Sequence, residues 1–422
     1  MWALGGCPPS GPEAPGGRPR RNEYLSTLRR VNRTLDIYLV PGFLGFVNLG
    51  RITYFGHLRR ALGERFASLG LDARIHIVRT PPTASLPTRA ARLAETIAKT
   101  AKRGDAPLHL IGHSSGGLDV RLLIAPGIAL PTSVDVERLA GRVHTVVTVS
   151  TPHHGTPLAS FFTTLRGQQL LQILSLNTIY VLHFGHLPIS ALLWMGARAL
   201  RFGELVANSE LLDELFGRLL EDFTVGRRRA VRALLRDVVR DQALMLQLSP
   251  EAMEVFNASV VPRPGVRYGA VVTQAARPSL RATLAVGLDP AAQVTHAVYS
   301  ALYQLIAAAP SRDVRRLSPP EIRALQRAYG STPSAAASDG IVPTLSQIWG
   351  HVIHAAVADH LDALGHFRDA SHDPPHVDWL VSGSGFDRPR FEALVDDMVR
   401  FVADPAPRKS ARRSSRRATR KR

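Results

Sequence analysis

Short apolar runs alternate along the chain with longer stretches of helical periodicity. Residues 35–40 (LDIYLV), 73–78 (ARIHIV), 108–111 (LHLI) and 143–149 (VHTVVTV) are rich in Leu, Ile and Val and end at Gly, Pro or polar clusters. Runs of that length and composition predict buried strands. Between the second and third, apolar positions 86, 90, 93, 97 and 101 recur at helical spacing with basic residues between them, which predicts a helix covering the sheet. Residues 118–125 (LDVRLLIA) follow the third strand and also read as helix. Strand, helix and strand in succession predict an α/β fold with a mostly parallel sheet flanked by helices.

The junction between the third strand and its helix carries chemistry. Gly112, Ser114 and Gly116 in PLHLIGHSSGG form a G-x-S-x-G pattern, in which flanking glycines let the backbone turn sharply and lift a serine oxygen above the sheet edge. Ser114 is the candidate nucleophile. A nucleophile of this kind needs backbone N–H groups facing the negative charge that develops on its substrate. The first strand stops at Pro41-Gly42 and leads into FLGF, so the Phe43 N–H and the N–H of Ser115 are the candidate oxyanion donors.

Beyond residue 156 the alternation of strands stops. Residues 169–200 are strongly apolar, and Leu211, Leu212, Leu215, Phe216, Leu219 and Leu220 then share a helical face, as do Val231, Leu234, Leu235, Val238 and Val239. These predict a helical cap inserted at about 158–262, above the serine turn, with an apolar face turned to a pocket or a lipid surface. His183, Gly185, His186 and Pro188 interrupt the apolar run, which argues against a spanning helix of about 20 apolar residues.

Composition changes the picture at the ends. The 422 residues are 45% hydrophobic, enough for one large catalytic domain with insertions, and the single cysteine, Cys7, excludes an intramolecular disulfide. Residues 1–32, rich in Pro, Gly and Arg, are expected to be flexible, with the catalytic domain over 33–404. The start shows neither a basic n-region nor an apolar run, so a cytoplasmic location with peripheral membrane contact is the default expectation. The formal charge is +18, and half of that excess lies in the last fifteen residues, nine of them basic. A block of this kind repels itself and has nothing apolar to bury, so residues 405–422 are expected to form a disordered tail open to anionic lipid or nucleic acid. No P-loop, dinucleotide fingerprint or clustered Cys/His metal spacing is evident.

Taken together, VPGFLGF after the first strand, IGHSSGGLDVR, VSTPHHGTPLA after the next strand, LSPEAMEVFNASVVPRPGVRYGAVV, and the late SDGIVPTLSQIWG and DHLDALGHF resemble the bacterial triacylglycerol lipases of the α/β-hydrolase superfamily. The resemblance spans about residues 35–367, weakest in the cap. It implies an α/β-hydrolase fold and a serine esterase mechanism on an acyl ester. Pro41 departs from the pattern, since many members carry histidine before the oxyanion glycine.

Nucleophile, acid, then histidine is the chain order for this fold. Asp339, in a Ser-Asp-Gly turn, is the candidate acid, and His360 matches the family's His-Leu-Asp and is the candidate base. His351, His354, His366, His372 and His376 compete for that role, His366 most strongly, and Asp373 or Asp378 could replace Asp339. In the resembling lipases an aspartate two residues after the catalytic histidine helps to hold a structural calcium, and Asp362 stands in that place. Asp289 and Asp313 do not sit in a matching motif for its partner, and a calcium site needs about 6 to 8 oxygen ligands, so no cofactor and no calcium requirement are expected. The function expected is hydrolysis of acyl or lipid esters through an acyl-enzyme on Ser114. Acyl transfer to another alcohol on the same triad, and a non-catalytic protein binding lipid surfaces or polyanions on a hydrolase scaffold, are the alternatives.

Overall fold

The computed structural model describes residues 34–43, 54–101, 106–184, 217–309, 316–378 and 380–404. Cys7, Leu193, Trp194, Asp313 and the basic tail lie outside them. Six strands form one parallel sheet in the order β2-β1-β3-β4-β5-β6. They are β1 (Thr34–Val40), β2 (Asp72–Ile77), β3 (Leu108–His113), β4 (Val143–Val149), β5 (Arg267–Gln274) and β6 (His351–Val357). The four apolar runs are β1 to β4, within one or two residues at their ends. β6 is less apolar, because His351 and His354 interrupt it and only Ala356 is fully buried.

Alternate residues of the central strands feed two separate cores. Ile37, Leu39, Ile111 and Val147 face one side, and Tyr38, Val40, Leu110 and Val146 the other. On the first side lie α1 (Gly56–Ser68), through Leu58, Leu62 and Phe66, and the C-terminal helix Arg388–Ala403, through Leu394, Val395 and Met398. The second side is covered by α2 (Leu86–Thr100) and α3 (Gly116–Ile124), through Leu93, Ile97, Val120 and Leu123. Coverage of both faces is why the strands read as continuous apolar runs. This sheet, with the serine turn after β3, has the architecture of the α/β-hydrolase fold.

Between β4 and β5 the described residues contain helices and no strand. α4 (Pro157–Phe162), α5 (Leu165–Phe184), α6 (Val225–Arg240), α7 (Ala243–Gln247) and α8 (Pro250–Ser259) occupy the stretch where the cap is expected. In α6 the predicted face is buried at Val231, Leu235 and Val238. Among the described residues, no helix is long and apolar enough to cross a membrane.

One basic position of α2 departs from a simple amphipathic helix. All five predicted apolar positions, 86, 90, 93, 97 and 101, are buried, but Arg89 between them is also fully buried. Its guanidinium meets the equally buried Asp119 of α3, with Nη2 at 2.8 Å from Oδ2 and Nε at 3.1 Å from Oδ1. The remaining N–H groups donate to the carbonyls of Pro81 (2.8 Å) and Pro41 (2.7 Å). Burial pushes the Asp119 carboxyl up to about 6, against the pull of Arg89. A buried charge is tolerated only when it is paired and its hydrogen bonds are met, as they are here. Asp119→Ala leaves the guanidinium uncompensated and is expected to lower the unfolding free energy by about 3–5 kcal/mol. Urea unfolding measures this, and a loss below about 1 kcal/mol would mean that water reaches Arg89.

Candidate active site

Ser114 sits between the last residue of β3 and the first turn of α3 with φ +54°, a left-handed conformation that side-chain-bearing residues rarely adopt. Its glycine neighbours are small because the backbone folds back on itself. A Cβ at Gly112 would lie 2.5 Å from the Gly116 carbonyl oxygen, and one at Gly116 would lie 2.2 Å from the Val40 carbonyl oxygen. The end of β1 is equally close. A Cβ on Gly42 would stand 2.5 Å from Ser114 Cβ and 2.9 Å from its Oγ, so the Pro41-Gly42-Phe43 loop lies directly against the serine.

Asp339, in the turn between the helix Pro319–Tyr329 and β6, and His360, in the loop after β6, come together. His360 Nδ1 is 2.8 Å from Asp339 Oδ2, and both side chains are buried. The carboxylate is held from every side. Oδ1 accepts the backbone N–H groups of Ile341 (2.9 Å) and Val342 (2.7 Å), and Oδ2 accepts Thr273 Oγ1 (3.0 Å) and Gln347 Nε2 (3.1 Å). The backbone N–H of His360 also donates to the Asp339 carbonyl at 3.0 Å. Such fixation orients the imidazole with Nδ1 toward the acid, leaving Nε2 for a reacting group.

A further chain of bonds joins the histidine to the loop after β1. His113 Nε2 lies 2.8 Å from the His360 carbonyl, which can only accept, so Nε2 carries the hydrogen and Nδ1 is an acceptor. Tyr54 Oη, 2.6 Å from that Nδ1, therefore donates to it, and itself accepts from the backbone of Gly42. Burial, reinforced by His360, holds His113 well below its ordinary pKa, in the neutral state that this pattern needs. Burial likewise raises the Tyr54 phenol, keeping it protonated as a donor.

Ser114, His360 and Phe43 line one pocket with Tyr54 and apolar residues of the cap region, among them Leu158, Phe162, Leu171 and Met245. Its empty space, mouth included, is ≈ 590 Å³. Ser115 is the N-cap residue of α3, immediately after the serine.

The competing histidines lie elsewhere. His351 is exposed at the start of β6, and His354 pairs with Asp397 at 2.8 Å. His366 donates from Nε2 to the Tyr54 carbonyl at 2.9 Å. His372 and His376 bond backbone carbonyls of Pro374 and Gly365. None of the five lines the pocket with Ser114. Of the substitute acids, Asp373 accepts Arg60 through its backbone carbonyl, and Asp378 interacts with the Asp359 and Asp362 carboxyls. Arg89, Tyr54, His113, Thr273 and Gln347 had no signal in the sequence, since their contacts form only in the folded structure.

Asp362 lies beside a second buried carboxyl. Its Oδ2 accepts the Asp359 N–H at 2.8 Å, and Asp359 Oδ1 in turn accepts the N–H groups of Leu361 and Asp362. Asp289 caps the helix Pro290–Ala308, accepting from Ala291. Among the described residues, the one group of three potential ligands close enough for a single ion consists of histidines. Burial pushes Asp359 up to about 6 and, with the Asp359 and Asp378 charges, Asp362 well above the ordinary carboxyl range. A carboxyl raised in the folded state contributes stability that fades as pH rises from about 4 through the folded value. Asp362→Asn keeps an acceptor for the Asp359 N–H without the charge, so its melting temperature is expected to exceed that of the wild type at pH 8, with the gap closing toward pH 5. A wild-type melting temperature raised several degrees by Ca²⁺ at pH 8 would show that these oxygens converge on a cation instead.

No protein-family model and no curated sequence matches the chain. Solved structures do. A metagenomic carboxyl esterase is 18% identical over 95% of this chain and 82% of its own, with a TM-score of 0.45. EstA from Clostridium botulinum is 18% identical over 88% of this chain and 90% of its own, with a TM-score of 0.43. Lipase 1 from Pelosinus fermentans is 16% identical over 87% of this chain and 99% of its own, with a TM-score of 0.44.

Proposed function

We propose that the protein is a serine carboxylic-ester hydrolase acting on esters with an apolar acyl chain. The observation that carries this reading is the buried Asp339–His360 pair, 2.8 Å apart, facing the same apolar pocket as Ser114 on its left-handed turn. His360 Nε2 takes the proton of Ser114 Oγ as the oxygen attacks the ester carbonyl. Asp339 stabilises the imidazolium that forms, and the Phe43 and Ser115 N–H groups receive the oxyanion. The imidazolium then protonates the leaving alkoxide, giving an acyl-enzyme on Ser114. Water, deprotonated by the same imidazole, attacks the acyl carbon and releases the acid.

Ser114→Ala and His360→Ala are each expected to remove nearly all turnover, and the double variant to be hardly slower than either, because the groups act as one unit. Asp339→Asn costs less than either, while folded His366→Ala keeps substantial activity. A fluorophosphonate probe labels the wild type and not Ser114→Ala. Turnover that survives in Ser114→Ala removes the proposal, and full labelling with ester formation in place of hydrolysis identifies an acyltransferase.

The pocket wall sets the substrate. On p-nitrophenyl esters from acetate to palmitate, kcat/KM is expected to rise from acetate to the medium or long chains. Leu171→Trp, which narrows the pocket, should depress the long esters more than acetate. Equal losses at every length would assign Leu171 to scaffolding alone.

A further inference from the structure

We infer that His57, His372 and His376 form a binding site for one divalent transition-metal ion of the zinc type, tying the loop beyond His360 to α1. Each of the three offers one ring nitrogen, and these nitrogens all lie within 4.8 Å of one another. One nitrogen of each ring is engaged by a backbone carbonyl. His376 Nδ1 donates to the Gly365 carbonyl at 2.7 Å, His372 Nδ1 to the Pro374 carbonyl at 3.1 Å, and His57 to the Pro375 carbonyl. A carbonyl accepts and cannot donate, so each ring is fixed in the tautomer that leaves a lone pair on the remaining nitrogen. Orientation of an imidazole by a backbone carbonyl on its far nitrogen is the usual support of a metal-ligating histidine.

The surroundings keep those lone pairs available. His57 and His376 are buried, which shields their rings from solvent. His366, whose ring centroid is 6.3 Å from that of His57, has its Nδ1 buried without a partner. Three clustered imidazoles whose donors are spent on backbone carbonyls offer a set of nitrogen ligands.

The scaffold is also held in place. His376 is stacked between His57 and Phe367, with ring centroids 3.8 Å and 4.3 Å away. The backbones of Asp369 and His376 are paired, and Arg60 of α1 donates to the Asp373 carbonyl at 2.6 Å. Tetrahedral zinc with Zn–N of about 2.0–2.1 Å separates its ligand nitrogens by roughly 3.3 Å, so nitrogens within 4.8 Å of one another must draw together. The near-parallel His57 and His376 rings must rotate to converge, and the half-exposed His372 leaves a fourth position to water. His372 and His376 stand at the H-x₃-H spacing of zinc sites, but the third ligand comes from the far end of the chain, so the sequence shows no cluster.

The test uses the full-length protein stripped with EDTA and titrated with Zn²⁺ alone, read by calorimetry and by melting temperature. The wild type is expected to take up one tight equivalent and to melt higher with it. His372→Ala, altered at a half-exposed position that leaves the core closed, should bind at least about tenfold more weakly and lose the gain in melting temperature. His376→Gln is the second variant, and Co²⁺ gives an optical check, since a low-coordinate nitrogen site absorbs strongly in the visible and the aquo ion does not. Absence of a tight equivalent in the wild type overturns the proposal. So does an equivalent retained by both variants, which would put the ion at other histidines, or a cobalt spectrum unchanged from that of the free ion.

Discussion

A single left-handed residue sets the arrangement of everything around it. With φ +54° at Ser114, the chain passes from strand to helix in one step, and the space this leaves admits no Cβ at Gly42, Gly112 or Gly116. A side chain in that conformation is strained and persists only if its surroundings hold it. The holding comes from two directions. Ser114 N–H donates to the Val149 carbonyl at 2.9 Å on one side, and the loop after β1 presses in from the other. The Pro41 carbonyl of that loop is held by Arg89, and Arg89 is held by Asp119 on the helix that the serine turn begins. The strained turn and the loop facing it are therefore fixed to the same buried ion pair.

A second support reaches His360. Gly42, Tyr54, His113 and the backbone of His360 are joined in one buried series, and His360 is joined through both backbone and side chain to Asp339. Low local dielectric strengthens each of these bonds and makes a missing one expensive. Positioning of this kind matters because a displacement of about 1 Å at the reacting groups costs far more rate than it costs stability.

The sequence made the frame legible and left its fastenings hidden, for a physical reason. Apolar runs announce β1 to β4 because both faces are buried, and three glycines or serines at fixed spacing announce the turn because few other residues can make it. Asp339 and His360 could be named through their order in the chain and a resemblance. Arg89 is written like any other basic residue of an amphipathic helix, and only the tertiary structure shows it pointing inward. Thr273 and Gln347 look like ordinary strand and loop residues until Asp339 is placed between them. The His57, His372 and His376 grouping depends on a contact between α1 and a loop near the other end of the chain, which no local window contains. Strand β6, carrying two histidines, shows the converse: backbone pairing with β5 supplies what its side chains do not advertise.

Arg89 also bears on how the site comes into being. Its four partners are on the loop after β1, the loop after β2 and the helix after β3, so its charge cannot be satisfied until three strands and both covering helices have docked. A partly assembled sheet carries an unpaired buried cation and leaves the loop beside Ser114 without its anchor. The machinery thus has no early, loosely formed version. The fixed arrangement around Ser114 arrives only with the closed core.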